Sequence, residues 1–286
     1  MNAAFCIEDL RYRYPASKVE ALKGISFDVR EGEIFGLLGP SGAGKSTTQK
    51  ILFKLLEDYS GSIRYFGRDL KTVGTSFYED VGVGFEVPVH FTKLTAMENM
   101  KYFSGFYKKT ADIKALMERV GLWEHRDVKV GAFSKGMKVR LNFVRAMLND
   151  PRVLFLDEVT NGLDPKNARI IKDIISEFRA QGGTVFLTTH LMNDVEQLCD
   201  RVAFCVDGRL HEISTPRDLK IKYGKREVRV EYLDNGATSE AVFPLEDIGA
   251  NEEFQTILKN KKIETIHSGE TSLEEIFIMM TGVDLK

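Results

Sequence analysis

The chain opens on an alternating pattern. Phe5, Ile7 and Leu10 precede a turn at Tyr14–Pro15, and ALKGISFDV resumes an extended run before a second turn at Glu31–Gly32–Glu33. A different signal follows. IFGLL is continuously apolar and stops abruptly at GPSGAGKST, and behind it TTQKILFKLL places Ile51, Leu52, Leu55 and Leu56 at helical spacing. The local order is therefore strand, glycine loop, helix. Short strands separated by glycine turns are predicted from Tyr65 to Phe85, then a mainly helical stretch from Ala96 to about Leu148 that is clearest in MENMKYFSGFY and ADIKALMERVGL.

Two more apolar runs read as buried strands. RVLFLDEVTNGLDP is a strand followed by a turn, and NARIIKDIISEFRAQG is an amphipathic helix ending at glycines. TVFLTTH is the next strand, LMNDVEQLCD a further helix, and RVAFCVDGRLHEIS a hairpin around Asp207–Gly208. Strands alternating with helices imply an α/β fold with a mostly parallel sheet covered by helices. The pattern changes after about Leu219. KREVRVEYL alternates with period two, EEFQTILKN and SLEEIFIMM are helical in pattern, and KIETIH is one more strand. Two domains are expected, 1–219 and 220–286. The first contains a helical subdomain at about 90–150, and the second is a small α+β extension.

Composition narrows the function classes. The 286 residues are 43% hydrophobic and 29% charged, with a formal net charge of -2 and both signs interspersed. That is ordinary globular chemistry, with no global basic field to suggest a nucleic-acid partner. No apolar run approaches the roughly 18–20 residues that span a bilayer, and the first ten residues carry no apolar signal core. Any service to a membrane is thus expected to run through docking to another chain. Cys6, Cys199 and Cys205 lie far from metal-ligand spacing and read as buried, reduced fillers.

The glycine loop carries the most specific chemistry. Gly39, Gly44, Lys45 and Ser46 satisfy G-x-x-x-x-G-K-[ST] between a predicted strand and a predicted helix. Backbone N–H groups of Gly39, Pro40, Ser41, Gly42, Ala43 and Gly44 (proline excepted) can curl around phosphates, with the helix N-terminus adding a favourable field. Lys45 reaches the β- and γ-phosphates, Ser46 offers a hydroxyl to Mg²⁺, and Thr47 offers another donor. Alone, the loop indicates a nucleoside triphosphate.

Asp157 and Glu158 end the apolar run Val153–Leu156. In P-loop enzymes the first such acid holds Mg²⁺, usually through water, and the second orients and deprotonates the attacking water. Asp164, in NGLDP, is otherwise a turn former. His190 follows Thr188 and Thr189 at the end of the next strand, and ligand groups of parallel sheets gather at such strand ends.

Taken in order, GPSGAGKST, FSKGMKVRL, RVLFLDE, NGLDP and TTH resemble the ABC transporter ATPase family over roughly Phe5 to Arg217. The resemblance implies a P-loop NTPase with an N-terminal antiparallel β-part, a helical signature subdomain, and ATP and Mg²⁺ as ligands. It makes Ser134, Lys135, Gly136 and Met137 the signature that meets ATP held by a partner subunit. Likewise Glu158 polarises the hydrolytic water, His190 senses γ-phosphate, Asp164 lies at the dimer seam, and Tyr14 stacks on adenine, a place Tyr12 could also take. Two departures stand out. The usual LSGGQ is FSKGM here, and the family's Mg²⁺-touching glutamine aligns with Glu86. The SKGM variant and the tail ending SLEEIFIMMTG resemble drug- and antibiotic-exporter ATPases. The implied assembly is a homodimer, or a pair of ATPase subunits, on the cytoplasmic face of the membrane. It would drive a separate integral-membrane permease and bind no nucleic acid. The competing class is a soluble ABC ATPase of translation or DNA-associated type.

Overall fold

The structure is a computed structural model that describes residues 2–234 and 236–283. Met1 and residues 284–286, the outer ends of the two expected domains, lie outside the described residues. Along the chain, β1 (Ala3–Tyr12) and β2 (Leu22–Arg30) pair antiparallel, with Ile7 opposite Phe27 and Tyr12 opposite Leu22. β3 (Ile34–Leu38) runs through the glycine loop into α1 (Lys45–Leu52). β4 (Ser60–Tyr65) and β5 (Arg68–Asp69) return to the first sheet, whose order is β2-β1-β4-β5. Next come α2 (Phe77–Asp80) and β6 (Val81–Gly84), then the helical stretch of α3 (Ala96–Ser104), α4 (Ile113–Arg119) and α5 (Lys135–Ala146).

β7 (Val153–Asp157), α6 (Pro165–Ala180), β8 (Thr184–Thr189), α7 (Met192–Leu198), β9 (Arg201–Val206) and β10 (Arg209–Ser214) follow. They complete a six-stranded sheet of order β10-β9-β3-β8-β7-β6. Its pairs are parallel except β9 with β10. All five residues of β3 are buried, as are Val153 to Leu156 of β7. Strands covered on both faces need continuous apolar runs, which is why these were plain in the sequence.

The antiparallel sheet closes a shared core with the larger one. Phe27 stacks on Phe35 with centroids 5.4 Å apart, and Phe5 meets Phe155 edge-on at 5.7 Å. Each such fully buried ring contributes about 1.5–3 kcal/mol over leaving it in water. Across the sheet, α5 approaches β6 so closely that a Cβ on Gly82 would lie 1.9 Å from the carbonyl oxygen of Ala146. A side chain there would push apart the helix that begins at Ser134 and the strand that leads to Glu86.

A second compact unit begins at Thr215. It holds α8 (Pro216–Tyr223), β11 (Arg226–Asp234), β12 (Ala237–Pro244), α9 (Glu252–Asn260), β13 (Lys262–Glu270) and α10 (Leu273–Thr281), with an antiparallel sheet of order β12-β11-β13. Val228, Val230, Phe243 and Ile257 form its core. The division falls before 220 because α8 is one helix, capped by the Thr215 hydroxyl, and stays whole. β12 escaped the sequence reading because Phe243 is its only buried side chain.

Two local expectations change. The helix after the glycine loop stops at Leu52, since Lys54 takes a left-handed backbone (φ 61°), and Leu55 is 60% exposed. Cys199 and Cys205 are buried free thiols, but Cys6 is only half-buried at the sheet surface, its sulfur near Glu8 and Arg64.

Candidate functional site

Parallel pairing sets the site. Leu38 at the end of β3 faces Thr189, and Asp157 at the end of β7 faces Thr188, so three strand ends open at one level. The glycine loop, the paired acids and His190 all leave the sheet there.

The loop is held from the β9–β10 side. The Ala43 carbonyl accepts a hydrogen bond from Gly208 N at 3.0 Å and one from the Cys205 thiol, also at 3.0 Å. Gly39 is tight against the same strand, where a Cβ would lie 2.0 Å from the Cys205 carbonyl oxygen. Burial raises the Cys205 thiol to about 12, which keeps it protonated as that donor. The first turn of α1 has no acidic residue, so its N-terminal field is uncompensated and favours an anion. Lys45 Nζ donates to the carbonyls of Gly39 (2.7 Å) and Pro40 (3.0 Å). Burial pushes its ammonium down, while the charges of Glu158, Asp157 and Glu86 pull it back up. All three carboxylates therefore act on Lys45.

Ser46 Oγ donates to Asp157 Oδ2 at 3.2 Å, and Asp157 Oδ1 accepts from the Thr188 hydroxyl. Cis ligands of an octahedral Mg²⁺ at about 2.1 Å are about 3.0 Å apart, so a hydroxyl and a carboxylate at this spacing fit that ion. Among the described residues no three His, Cys, Asp or Glu side chains gather as a metal cage. Mg²⁺ takes few protein ligands and keeps water and phosphate oxygens, which agrees with such a sparse set.

Glu158 has a left-handed backbone, φ 50°, a conformation costly for any residue with a Cβ. The surroundings hold it there. Its N–H donates to Thr188 O at 2.9 Å, its Oε2 accepts from Thr189 Oγ1 at 3.1 Å, and its Oε1 lies 2.7 Å from His190 Nδ1. Glu158 is buried, whereas the His190 side chain is 44% exposed. A proton on Nδ1 completes that contact and leaves Nε2 as the outward atom.

Tyr14 sits beside the loop, its hydroxyl 3.1 Å from Thr47 Oγ1. Tyr12 is buried in β1 and meets Tyr14 edge-on at 4.9 Å, whereas Tyr14 is half-buried. Glu86 is exposed just beyond β6. Ser134 caps α5, its Oγ accepting from Met137 N at 3.2 Å; Ser134 and Lys135 are exposed, and Gly136 and Met137 are half-buried. A Cβ on Gly162 would meet Lys135 Cε and Nζ at 2.9 Å, which sets the signature beside the turn leading to Asp164. Asp164 caps α6 through Asn167 N, and the Asn167 side chain with that backbone N–H holds its carboxyl below the usual range. Among the described residues no hydrogen bond or ion pair joins Ser134–Met137 to the glycine loop of the same chain. Thr188 and Thr189 entered the sequence reading only as part of TTH, and Cys205 only as a buried filler; nothing local announced its bond to the Ala43 carbonyl.

A phosphate loop at the centre of this sheet, paired acids on the neighbouring strand but one and a histidine between them define an ATP-binding cassette. The ABC transporter family model matches residues 22–161, and the chain belongs to that family as an ATP-binding subunit. A model described as the fluoroquinolone efflux ABC transporter C-terminal domain matches residues 226–270. The chain is 48% identical over 281 residues to the fluoroquinolones export ATP-binding protein Rv2688c of Mycobacterium tuberculosis, covering 98% of this chain and 93% of that protein. Among solved structures it resembles an ATP-binding subunit of an ABC transporter, with TM-score 0.70, 28% identity, and coverage of 77% of this chain and 93% of that one. A bacterial Atm1-family ABC exporter with ATP bound gives 0.69 and 25%, over 77% of this chain and 40% of that one.

The protein is an ATPase that uses ATP and Mg²⁺ to power a separate membrane transporter. No described helix is long and apolar enough to cross a membrane.

Proposed function

We propose that two copies of this chain close on two ATP molecules at the cytoplasmic face of the membrane and drive an exporter. The carrying observation is the convergence of Lys45, Ser46, Asp157, Glu158 and His190 at one sheet edge, with Glu158 held at φ 50° and bonded to His190. In this reading the chain up to Ser214 is the ATPase domain and the rest is its extension.

Roles follow from placement. Gly39 to Gly44 cradle the phosphates and Thr47 adds a donor. Lys45 trades its loop carbonyls for β- and γ-phosphate oxygens, and Tyr14 stacks on adenine. Ser46 and Asp157 hold Mg²⁺, which when bound offsets phosphate charge. Glu158 takes the proton from the attacking water, and His190, through its outward Nε2, meets γ-phosphate. Glu86 reaches the same ion through water, its charge already acting on Lys45. The exposed cap at Ser134, with Lys135, Gly136 and Met137, receives the γ-phosphate of the partner copy as helix N-termini receive anions. Asp164, also exposed, lies at the seam.

Phe85, Val87, Val89, Phe91, Tyr102 and Phe106 are 37–68% exposed around Pro88. So large an apolar patch favours a protein partner, here the cytoplasmic helices of the permease. Arg145 stiffens it, donating to Val89 O at 2.6 Å with its guanidinium 4.9 Å from the Phe103 ring centroid. Export, of fluoroquinolone-like drugs, is favoured by the relatives' names and the matched C-terminal model. Formal charge near neutrality argues against nucleic acid.

Gly136→Asp tests the shared site. A carboxylate opposite the partner's γ-phosphate should abolish ATP-driven dimer formation, read by light scattering, and leave ATP binding to the monomer intact. Normal dimerisation of this variant would overturn the assignment across subunits.

A further inference from the structure

The turn between Glu158 and Asp164 is tied down by a side chain outside it. Asp194 on α7 is 7% exposed, and its carboxylate accepts from the Thr160 hydroxyl through Oδ2 and from Lys172 Nζ through Oδ1 at 3.1 Å. Thr160 is 6% exposed and sits two residues after Glu158. Lys172, on α6, has a side chain only 14% exposed and also donates to Gln197 Oε1 at 2.6 Å. One buried carboxylate thus joins the catalytic turn, the helix that Asp164 caps and the helix that follows His190.

The turn itself is short and internally bonded. Asn161 N donates to Glu158 O at 2.9 Å, and Leu163 N donates to Thr160 O at 3.1 Å. A shift of Thr160 is therefore passed to Glu158 on one side and Asp164 on the other. The His190 end is equally constrained. Leu191 N donates to Thr189 Oγ1 at 3.0 Å and Asp194 N to Leu191 O at 3.1 Å, while Thr189 Oγ1 donates to Glu158. Glu158 and Asp194 are thereby linked by two routes, through Thr160 and through Thr189–Leu191. A closed ring of this kind resists relaxation of Glu158 from its left-handed backbone.

We infer that Asp194 is a positioning residue for ATP hydrolysis: with Thr160 and Lys172 it holds Glu158 in register with His190 and couples that pair to the Asp164 turn. The inference rests on the proposed role of Glu158 and adds what keeps that carboxylate in place. Asp194 is buried and spends its carboxylate on Thr160 and Lys172, so its effect is expected on the chemical step and not on ATP affinity.

The test uses the purified full chain and measures kcat, KM for ATP and thermal stability. Thr160→Val is close to isosteric and removes only the hydroxyl; Asp194→Asn removes the charge; Thr160→Ser retains the hydroxyl. Small misplacement of a catalytic group can cost on the order of 10²-fold. Expected are kcat values lowered about that much in Thr160→Val and Asp194→Asn, KM within about twofold, and recovery in Thr160→Ser. The double variant should be no slower than the slower single, because both break one unit. Should Asp194→Asn not fold, the Thr160→Val and Thr160→Ser pair decides alone. A folded Thr160→Val with wild-type kcat overturns the inference, as does a loss shared equally by Thr160→Ser. Glu158→Gln, run alongside, separates the two readings. If it is inactive while Thr160→Val is normal, only the positioning role fails; if it turns over normally, the underlying assignment fails.

Discussion

Replacing Glu158 by glutamine removes the proposed base and little else. The amide keeps an oxygen for His190 Nδ1, now 2.7 Å from Oε1, and its NH2 can donate to Thr189 Oγ1, now 3.1 Å from Oε2. Backbone geometry at φ 50° is equally costly for either residue, so folding stability should move by no more than about 1 kcal/mol. Turnover is another matter. Loss of a positioned base costs on the order of 10²–10⁴ in rate, which is about 3–5 kcal/mol on the barrier. Lys45, Ser46 and Asp157 are untouched, so ATP still binds, and a dimer closed on ATP should persist because its exit by hydrolysis is blocked. The assay is ATP turnover paired with size-exclusion chromatography in ATP and Mg²⁺. Near-normal turnover in the variant would refute the argument, and so would loss of ATP binding, since neither follows from removing a base.

Lys45→Ala removes the ammonium proposed to bridge the loop to phosphate and should abolish ATP binding in a titration calorimetry experiment; retained affinity would sink the loop assignment. His90 supplies a pH effect. Burial, with Arg145 and Lys138 nearby, lowers its imidazole from 6.5 to about 4, although its Nε2 meets Lys138 O at 3.2 Å. Its Nδ1 is buried without a partner. The unfolded chain binds the proton first as pH falls, so stability is full above about 6.5 and declines by up to about 3 kcal/mol toward pH 4. Urea unfolding at pH 7 and pH 5 should show this decline, and His90→Gln should flatten it; an equal decline in the variant would count against the histidine as its source.

The sequence was most legible where burial is two-sided. IFGLL, VLFL and TVFLTT read as covered strands and are buried parallel strands in the structure, and the loop after the first of them matched the phosphate-loop pattern. The boundaries at α1 and α8 were not legible, because they depend on a left-handed Lys54 and a cap at Thr215. β12 was missed since five of its eight side chains are exposed and carry no alternating apolar signal. Within the site, identity and order of Lys45, Asp157, Glu158 and His190 were readable from motifs. Their supports were not. Thr160, Lys172 and Asp194 meet across about 12 to 34 positions of chain, and no local pattern announces such a meeting. Tyr14 was favoured over Tyr12 for adenine from sequence, and burial of Tyr12 in β1 agrees with that preference.

In the proposed function, hydrolysis at this site drives a separate membrane chain. Affinity isolation of the tagged protein from gently solubilised membranes tests it most directly. A polytopic membrane protein should be recovered in stoichiometric amount, and its recovery should fall when Phe91 and Tyr102 are replaced by charged residues on the exposed patch. Isolation from the soluble fraction alone, with ribosomes or DNA-bound proteins attached, would contradict the claim.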